Sequence, residues 1–280
     1  MKPKVITIIG LGLMGGSLAA RCRKRYPSAR IIGVSRQKQA LALALRKKWI
    51  HRGTRNLSDA VIDSDLIVLC TPADTTFRFL KLLDAAAKPG AVVTDVGSVK
   101  ERIQAWADSR RFKRIRFVGG HPMAGSHHRG IAAAHEDLYH KSTVFLVKSA
   151  ATKPDAFRLV RSFWKQIGCR TVTLTGAAHD RIVAEISHWP HAVAAALVLA
   201  TTSHSRRYAA SGFLDSTRIA QGDPSIWMPI FMQNRREILR AAGSFEKRLR
   251  AFKTLLAKKN VSGIRAFLAQ ALRERRQISF

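Results

Sequence analysis

The chain has 280 residues, 46% of them hydrophobic, which is enough to bury the cores of about two domains. Cys22, Cys70 and Cys169 are odd in number and scattered, which excludes a disulfide framework and fits a reducing, cytoplasmic compartment. The formal net charge is +31, but the basic excess runs through both halves and lacks the interleaved aromatics of a strand-binding surface. That argues against a dedicated nucleic-acid site and favours a basic surface that attracts anionic ligands.

Taken in chain order, the opening "MKPKVITIIG" is too poor in apolar residues for a signal-peptide core, so secretion is not expected. Short β-branched runs then alternate with helical patterns. "KVITIIG", "ARIIGVS", "SDLIVLCTP", "GAVVTDVGS", "IRFVGGHP" and "STVFLVKS" predict strands. Between them "LMGGSLAARCRKRY", "QKQALALALRKKW" and "DTTFRFLKLLDAAA", the last opened by a capping Asp74, predict helices. This alternation implies a parallel sheet with crossover helices, an α/β domain over 1–152. From 153 one more strand, "CRTVTLT", precedes long helical stretches, which implies a second, mostly helical domain over 153–280. Its clearest helix runs from about Gly176 to His204 and is apolar enough in the middle to be buried, with Pro190 kinking or breaking it near His188. The longest apolar run, "AVAAALVLA" at 192–200, is shorter than the ~20 residues that cross a bilayer.

Between the first strand and the first helix stands "GLGLMG", Gly10, Leu11, Gly12, Leu13, Met14 and Gly15. In that context G-x-G-x-x-G lets backbone approach a pyrophosphate at a helix N-terminus, the fingerprint of a Rossmann NAD(P) site. An acid normally ends the second strand to hold the ribose of NAD. Here Ser35 and Arg36 stand there, with Lys38 two residues on, donors suited to a 2′-phosphate. NADP is therefore expected, with NAD as the other option, and the alternative for Arg36 and Lys38 is the start of a solvated helix. Thr71 and Pro72 form a stiff loop over the cofactor at the carboxyl edge of the sheet, and Ser98 in "DVGSVK" is either a helix N-cap or a hydroxyl aimed at the nicotinamide.

His121, ahead of Pro122 in "FVGGHPMAGSHHRG", is delivered beside Ser98 and suits a general base that takes an alcohol proton as hydride leaves carbon. In the second half, His188 and His191 are three apart, but no carboxylate or cysteine completes a ligand set, so no metal is expected. Arg218 lies in a small loop near turn residues and aromatics, as a substrate carboxylate would require.

With "IIGLGLMGGSLA", "DLIVLCTP", "VVTDVGSVK", "GGHPMAGS", "HDRIVAEISHWPHAVAAAL" and "SGFLDSTRIAQGDPSIW" in this order, the chain resembles the prephenate and arogenate dehydrogenases of tyrosine biosynthesis over nearly its whole length. The resemblance implies a Rossmann domain followed by a helical domain that makes a homodimer, with the active site in the cleft between. It implies oxidative decarboxylation of prephenate or arogenate with hydride transfer to NAD(P). Carried over, His121 accepts the hydrogen bond of the ring hydroxyl and Ser98 orients it. Ser126 and His191 contact substrate, Arg218 holds a carboxylate, and His188 is structural or stands behind the residues that touch substrate. His127 and His128 occupy a neighbourhood where family members vary, which bears on whether the side chain is a keto acid or an amino acid. An end at Phe280 leaves no room for a regulatory domain of the ACT type. The alternatives are a β-hydroxyacid dehydrogenase, against which stands the lack of lysine between Gly176 and His204, and a non-catalytic NADP-binding scaffold associated with nucleic acid.

Overall fold

The computed structural model describes residues 2–125 and 128–278. Six parallel strands, β1 (Val5–Ile9), β2 (Arg30–Val34), β3 (Arg52–Thr54), β4 (Leu66–Leu69), β5 (Ala91–Asp95) and β6 (Ile115–Val118), form one sheet in the order β3-β2-β1-β4-β5-β6. This is the doubly wound order of dinucleotide-binding domains. The strands read as continuous apolar runs because both faces are covered. In β4, Leu66 and Val68 enter one core while Ile67 and Leu69 enter the other. The first core takes residues of α1 (Leu13–Arg25) and α2 (Lys38–Arg46). The second takes residues of α3 (Leu57–Val61), α4 (Thr76–Ala86) and α5 (Glu101–Asp108).

Strand β3 is not legible in the sequence, since "RGT" is a three-residue polar edge strand without apolar alternation. Asp74 is not the cap of α4 either. It sits inside a 3₁₀ turn, Ala73–Thr75, that leads into the helix. The run "IRFVGGHP" is two strands rather than one: β6 ends at Val118, and β7 (Gly120–Pro122) pairs antiparallel with β8 (Thr143–Val147) in a second, three-stranded sheet. The break has a steric cause. A Cβ on Gly120 would lie 2.8 Å from the Asp95 carbonyl oxygen, so the chain can cross the end of β5 here only without a side chain.

Beyond residue 152 the expected domain border does not hold. Helix α6 (Pro154–Ile167) contributes Phe157, Val160, Phe163 and Trp164 to the first core, and β9 (Arg170–Leu174) completes the second sheet beside β8. The residues from 2 to 234 form one compact unit, which continues through α7 (Gly176–Val183), α8 (Trp189–Leu199), α9 (Ser203–Arg206), α10 (Ser211–Thr217) and α11 (Pro224–Gln233). The second unit, from 235, holds α12 (Arg235–Ala257) and α13 (Val261–Arg276) as a hairpin. Lys259 turns it in the left-handed region, the Asn260 side chain caps α13 at the Gly263 N–H, and Phe252 packs on Phe267.

α7 and α8 are one continuous helix from 176 to 199, and Pro190 does not break it. Proline supplies no N–H for the turn before it, and the helix accommodates this with a π-helical turn at Ala184–His188. Nor is the helix buried along its length: Leu197 is 41% and Leu199 83% exposed. By length and composition it could cross a membrane, with a mean hydropathy of 1.4. His179, Asp180 and His188 on it are nonetheless fully or almost fully buried.

Candidate active site

The glycine turn is built as a dinucleotide cradle. Gly10 has φ +95°, and a Cβ on Gly15 would stand 1.8 Å from the Gly10 carbonyl oxygen, so helix and strand approach as only glycine allows. Above Gly12, by contrast, a Cβ would meet nothing within 4 Å. Gly12 is the N-cap of α1 and offers no side-chain cap, so the first backbone N–H groups of this 13-residue helix face open space. These residues fit a pyrophosphate.

At the end of β2, Ser35 is half-buried and Arg36 is exposed. Ser35 Oγ accepts the Gln37 N–H at 3.2 Å, which leaves the hydroxyl proton free to donate. Lys38 is the first residue of α2 and exposed, as the alternative reading of that residue held. Thr71 and Pro72 follow β4, and the Thr75 hydroxyl donates to the Pro72 carbonyl (2.6 Å) while the Thr71 hydroxyl meets its oxygen at 2.9 Å, which fixes this loop. Cys70, just before it, lines the cavity described next, its thiol pushed up by burial.

A cavity of about 610 Å³ extends from the glycine turn, and its lining brings together Gly12, Leu13, Met14, Ser98, His121 and Arg218. Ser126 and His127 lie outside the described residues. His191 is not part of the lining. Its ring stacks on Trp227 at 3.6 Å between centroids and 15° between planes, and it is Trp227 that faces the cavity. His188, expected to be structural, lines the wall instead. The Asn234 side-chain amide donates both to the Asp180 carbonyl (2.7 Å) and to His188 Nδ1 (3.0 Å), clamping the π-helical turn. Burial pushes His188 down to about 4, against the raising pull of Asp180 and the Ser98 backbone.

Behind His121 lies a buried polar chain. His121 Nδ1 meets His179 Nε2 at 2.8 Å, and His179 Nδ1 meets Asp180 Oδ1 at 2.7 Å. Asp180 also accepts the Lys100 N–H at Oδ1 (2.8 Å) and the Glu101 N–H at Oδ2 (3.0 Å), which fastens α7 to the start of α5. Beside it the Lys100 ammonium donates to Asp95 Oδ2 at 2.5 Å, while Asp95 accepts the Gly97 and Gly120 N–H groups, both at 3.0 Å. Such a buried ion pair is tolerated because its remaining valences are met. It holds the end of β5 against β7, the strand that carries His121. Burial first, then His179, Lys100 and His188, hold His121 well below the ordinary imidazole range. His121 is therefore neutral at physiological pH.

Opposite, Arg218 begins a 3₁₀ turn after α10 and is exposed in the cavity wall. Arg129 pairs with Asp223 and donates to Ser225 Oγ at 3.3 Å, tying the loop after β7 to the start of α11. Lys100, Asp95, Asp180 and Arg129 were not singled out by spacing. The "HD" pair opening α7 and the lysine after "GS" are the signals that were present, but neither betrays burial.

The family pattern of the prephenate dehydrogenase nucleotide-binding domain matches residues 18–173, and that of the prephenate dehydrogenase dimerization domain matches 175–270. The chain belongs to the prephenate dehydrogenase family. The family border at 174 agrees with the placement of α6 and β9 on the nucleotide side. Among relatives, a prephenate dehydrogenase of Bacillus subtilis is 36% identical over 84% of this chain, which spans 65% of that protein's length. A solved prephenate dehydrogenase from A. aeolicus, in complex with hydroxyphenyl propionate and NAD+, superposes with a TM-score of 0.92 at 30% identity, covering 100% of this chain and 99% of that one. A Synechocystis arogenate dehydrogenase superposes with a TM-score of 0.82 at 31% identity, covering 98% and 99%.

Proposed function

We propose that this family member is an NADP-preferring dehydrogenase that oxidatively decarboxylates a cyclohexadienyl substrate, prephenate or arogenate, in the formation of tyrosine or its keto-acid precursor. The observation that carries the reading is a buried His121 in the wall of a cavity that also holds Ser98 and Arg218 and opens onto the uncapped α1 N-terminus. A bound nicotinamide dinucleotide supplies the hydride acceptor. His121 takes the proton of the ring hydroxyl as its carbon is oxidised. Ser98 orients that hydroxyl, and Arg218 holds a substrate carboxylate. Loss of carbon dioxide leaves an aromatic ring, which makes the step irreversible. The preference for NADP is supported by Ser35 and Arg36 at the end of β2, where no carboxylate stands. Leu13 and Met14 line the cofactor end of the cavity. The exposed apolar faces of α8, α12 and α13 support pairing with a second copy of the chain.

His121→Asn tests the reading. Turnover should fall by about 10²- to 10⁴-fold, the usual worth of a positioned base, with NADP affinity near that of the wild type. Equal loss of cofactor binding and turnover would make the histidine a structural one.

A further inference from the structure

We propose that His179 and Asp180 are positioning residues that set the tautomer of His121, so that its Nε2 carries a free lone pair on the cavity side. The argument begins at Asp180, nearly inaccessible to water. Its Oδ1 receives the Lys100 N–H and its Oδ2 the Glu101 N–H, and both are obligate donors at the N-terminus of α5. Burial raises the carboxyl, but these two N–H bonds and the Lys100 ammonium nearby favour its ionised form, and an ionised Asp180 is an acceptor at every contact. His179 Nδ1, at 2.7 Å from Oδ1, must then be the protonated nitrogen of its ring. A neutral imidazole protonated at Nδ1 accepts at Nε2, and that atom lies 2.8 Å from His121 Nδ1. His121 is consequently the donor in that contact, and its Nε2 is left unprotonated.

The three side chains thus carry a directional instruction from the start of α5 to the cavity. His179 is fully buried and its ring stands edge-on to Phe145 and His121, so it has no room to flip. When His121 takes the hydroxyl proton, the positive charge that forms is met along the same line by the Asp180 carboxylate. The inference rests on the reading of His121 as the general base, and it adds what keeps that base in the form able to accept a proton.

The test uses the full chain labelled with ¹⁵N-histidine and free of ligand, with the ring tautomer of His121 read by NMR at neutral pH and assigned by its loss in His121→Asn. The wild type should carry the proton on Nδ1. In Asp180→Asn the amide can donate to His179, which reverses the line, and His121 should shift toward the Nε2-protonated form. In His179→Phe, a ring that suits the neighbouring Phe145, His121 should lose its single tautomer. Both variants should retain wild-type KM within about threefold and lose kcat by at least about 100-fold, since a wrong tautomer costs up to about 10⁴ in comparable acid–base triads. A wild-type His121 protonated on Nε2 overturns the inference whatever the variants do. Either variant overturns it by keeping the wild-type tautomer, or by keeping kcat within threefold. If the wild type turns over neither prephenate nor arogenate, the assigned function fails on its own, and the NMR arm still decides the positioning role.

Discussion

At the scale of single residues, the site depends on which side chains are buried among donors and which stand free. Arg218 is exposed at the cavity wall, and a guanidinium there contributes binding to an anionic group in ground and transition states alike. Arg218→Ala should therefore raise the substrate KM by about 10- to 100-fold with a smaller effect on kcat, in steady-state kinetics. An unchanged KM would remove Arg218 from the site. Arg36, exposed at the end of β2, should govern cofactor choice: in Arg36→Asp the NADP/NAD ratio of kcat/KM should fall below that of the wild type, and a constant ratio would leave Arg36 as a solvated surface residue. That Ser98, His121 and Arg218 would meet around one cavity was legible in the sequence because each lies where an element ends, Ser98 and His121 directly after a glycine. His191 stands one ring behind the cavity for a local reason. The π-helical turn before it shifts the facing of the helix, so His188 reaches the cavity and His191 turns to stack behind Trp227.

Among elements, the helix formed by α7 and α8 is the one on which site and stability meet. It carries three histidines in an apolar setting, and with His121 they are all pushed below the ordinary value by burial, His188 to about 4 and His179 to about 2. A histidine held low in the folded chain is protonated more readily when unfolded. The stability it contributes is present above the unfolded value of about 6.5 and is lost as pH falls toward the folded value. Urea denaturation should then show stability falling between pH 7 and pH 5, by on the order of 1–2 kcal/mol for each buried histidine, while Tm falls in parallel. Stability that is flat across this window would mean that the rings are solvated. The parallel sheet was readable element by element, since two-sided burial leaves apolar runs and glycine marks their ends. What escaped reading depended on contacts distant in sequence. The split at Gly119 and Gly120 follows from the approach of Asp95, and the membership of α6 in the nucleotide core follows from its packing against residues of α1.

For the whole molecule, the two units divide the labour differently from the sequence expectation. Everything that lines the cavity lies before residue 235, and the α12–α13 hairpin carries exposed Leu249, Leu256, Leu268 and Leu272. The chain carries a net charge of +31 and is proposed to receive an anionic substrate, and a field of that sign raises association rates at low ionic strength. The most direct test is to incubate the purified chain with prephenate or arogenate and with NADP or NAD, following reduced cofactor and released carbon dioxide together. The account predicts one carbon dioxide per reduced cofactor with at least one of the two substrates, and a higher kcat/KM with NADP than with NAD. Reduction of cofactor without carbon dioxide release, or no turnover of either substrate, would contradict it.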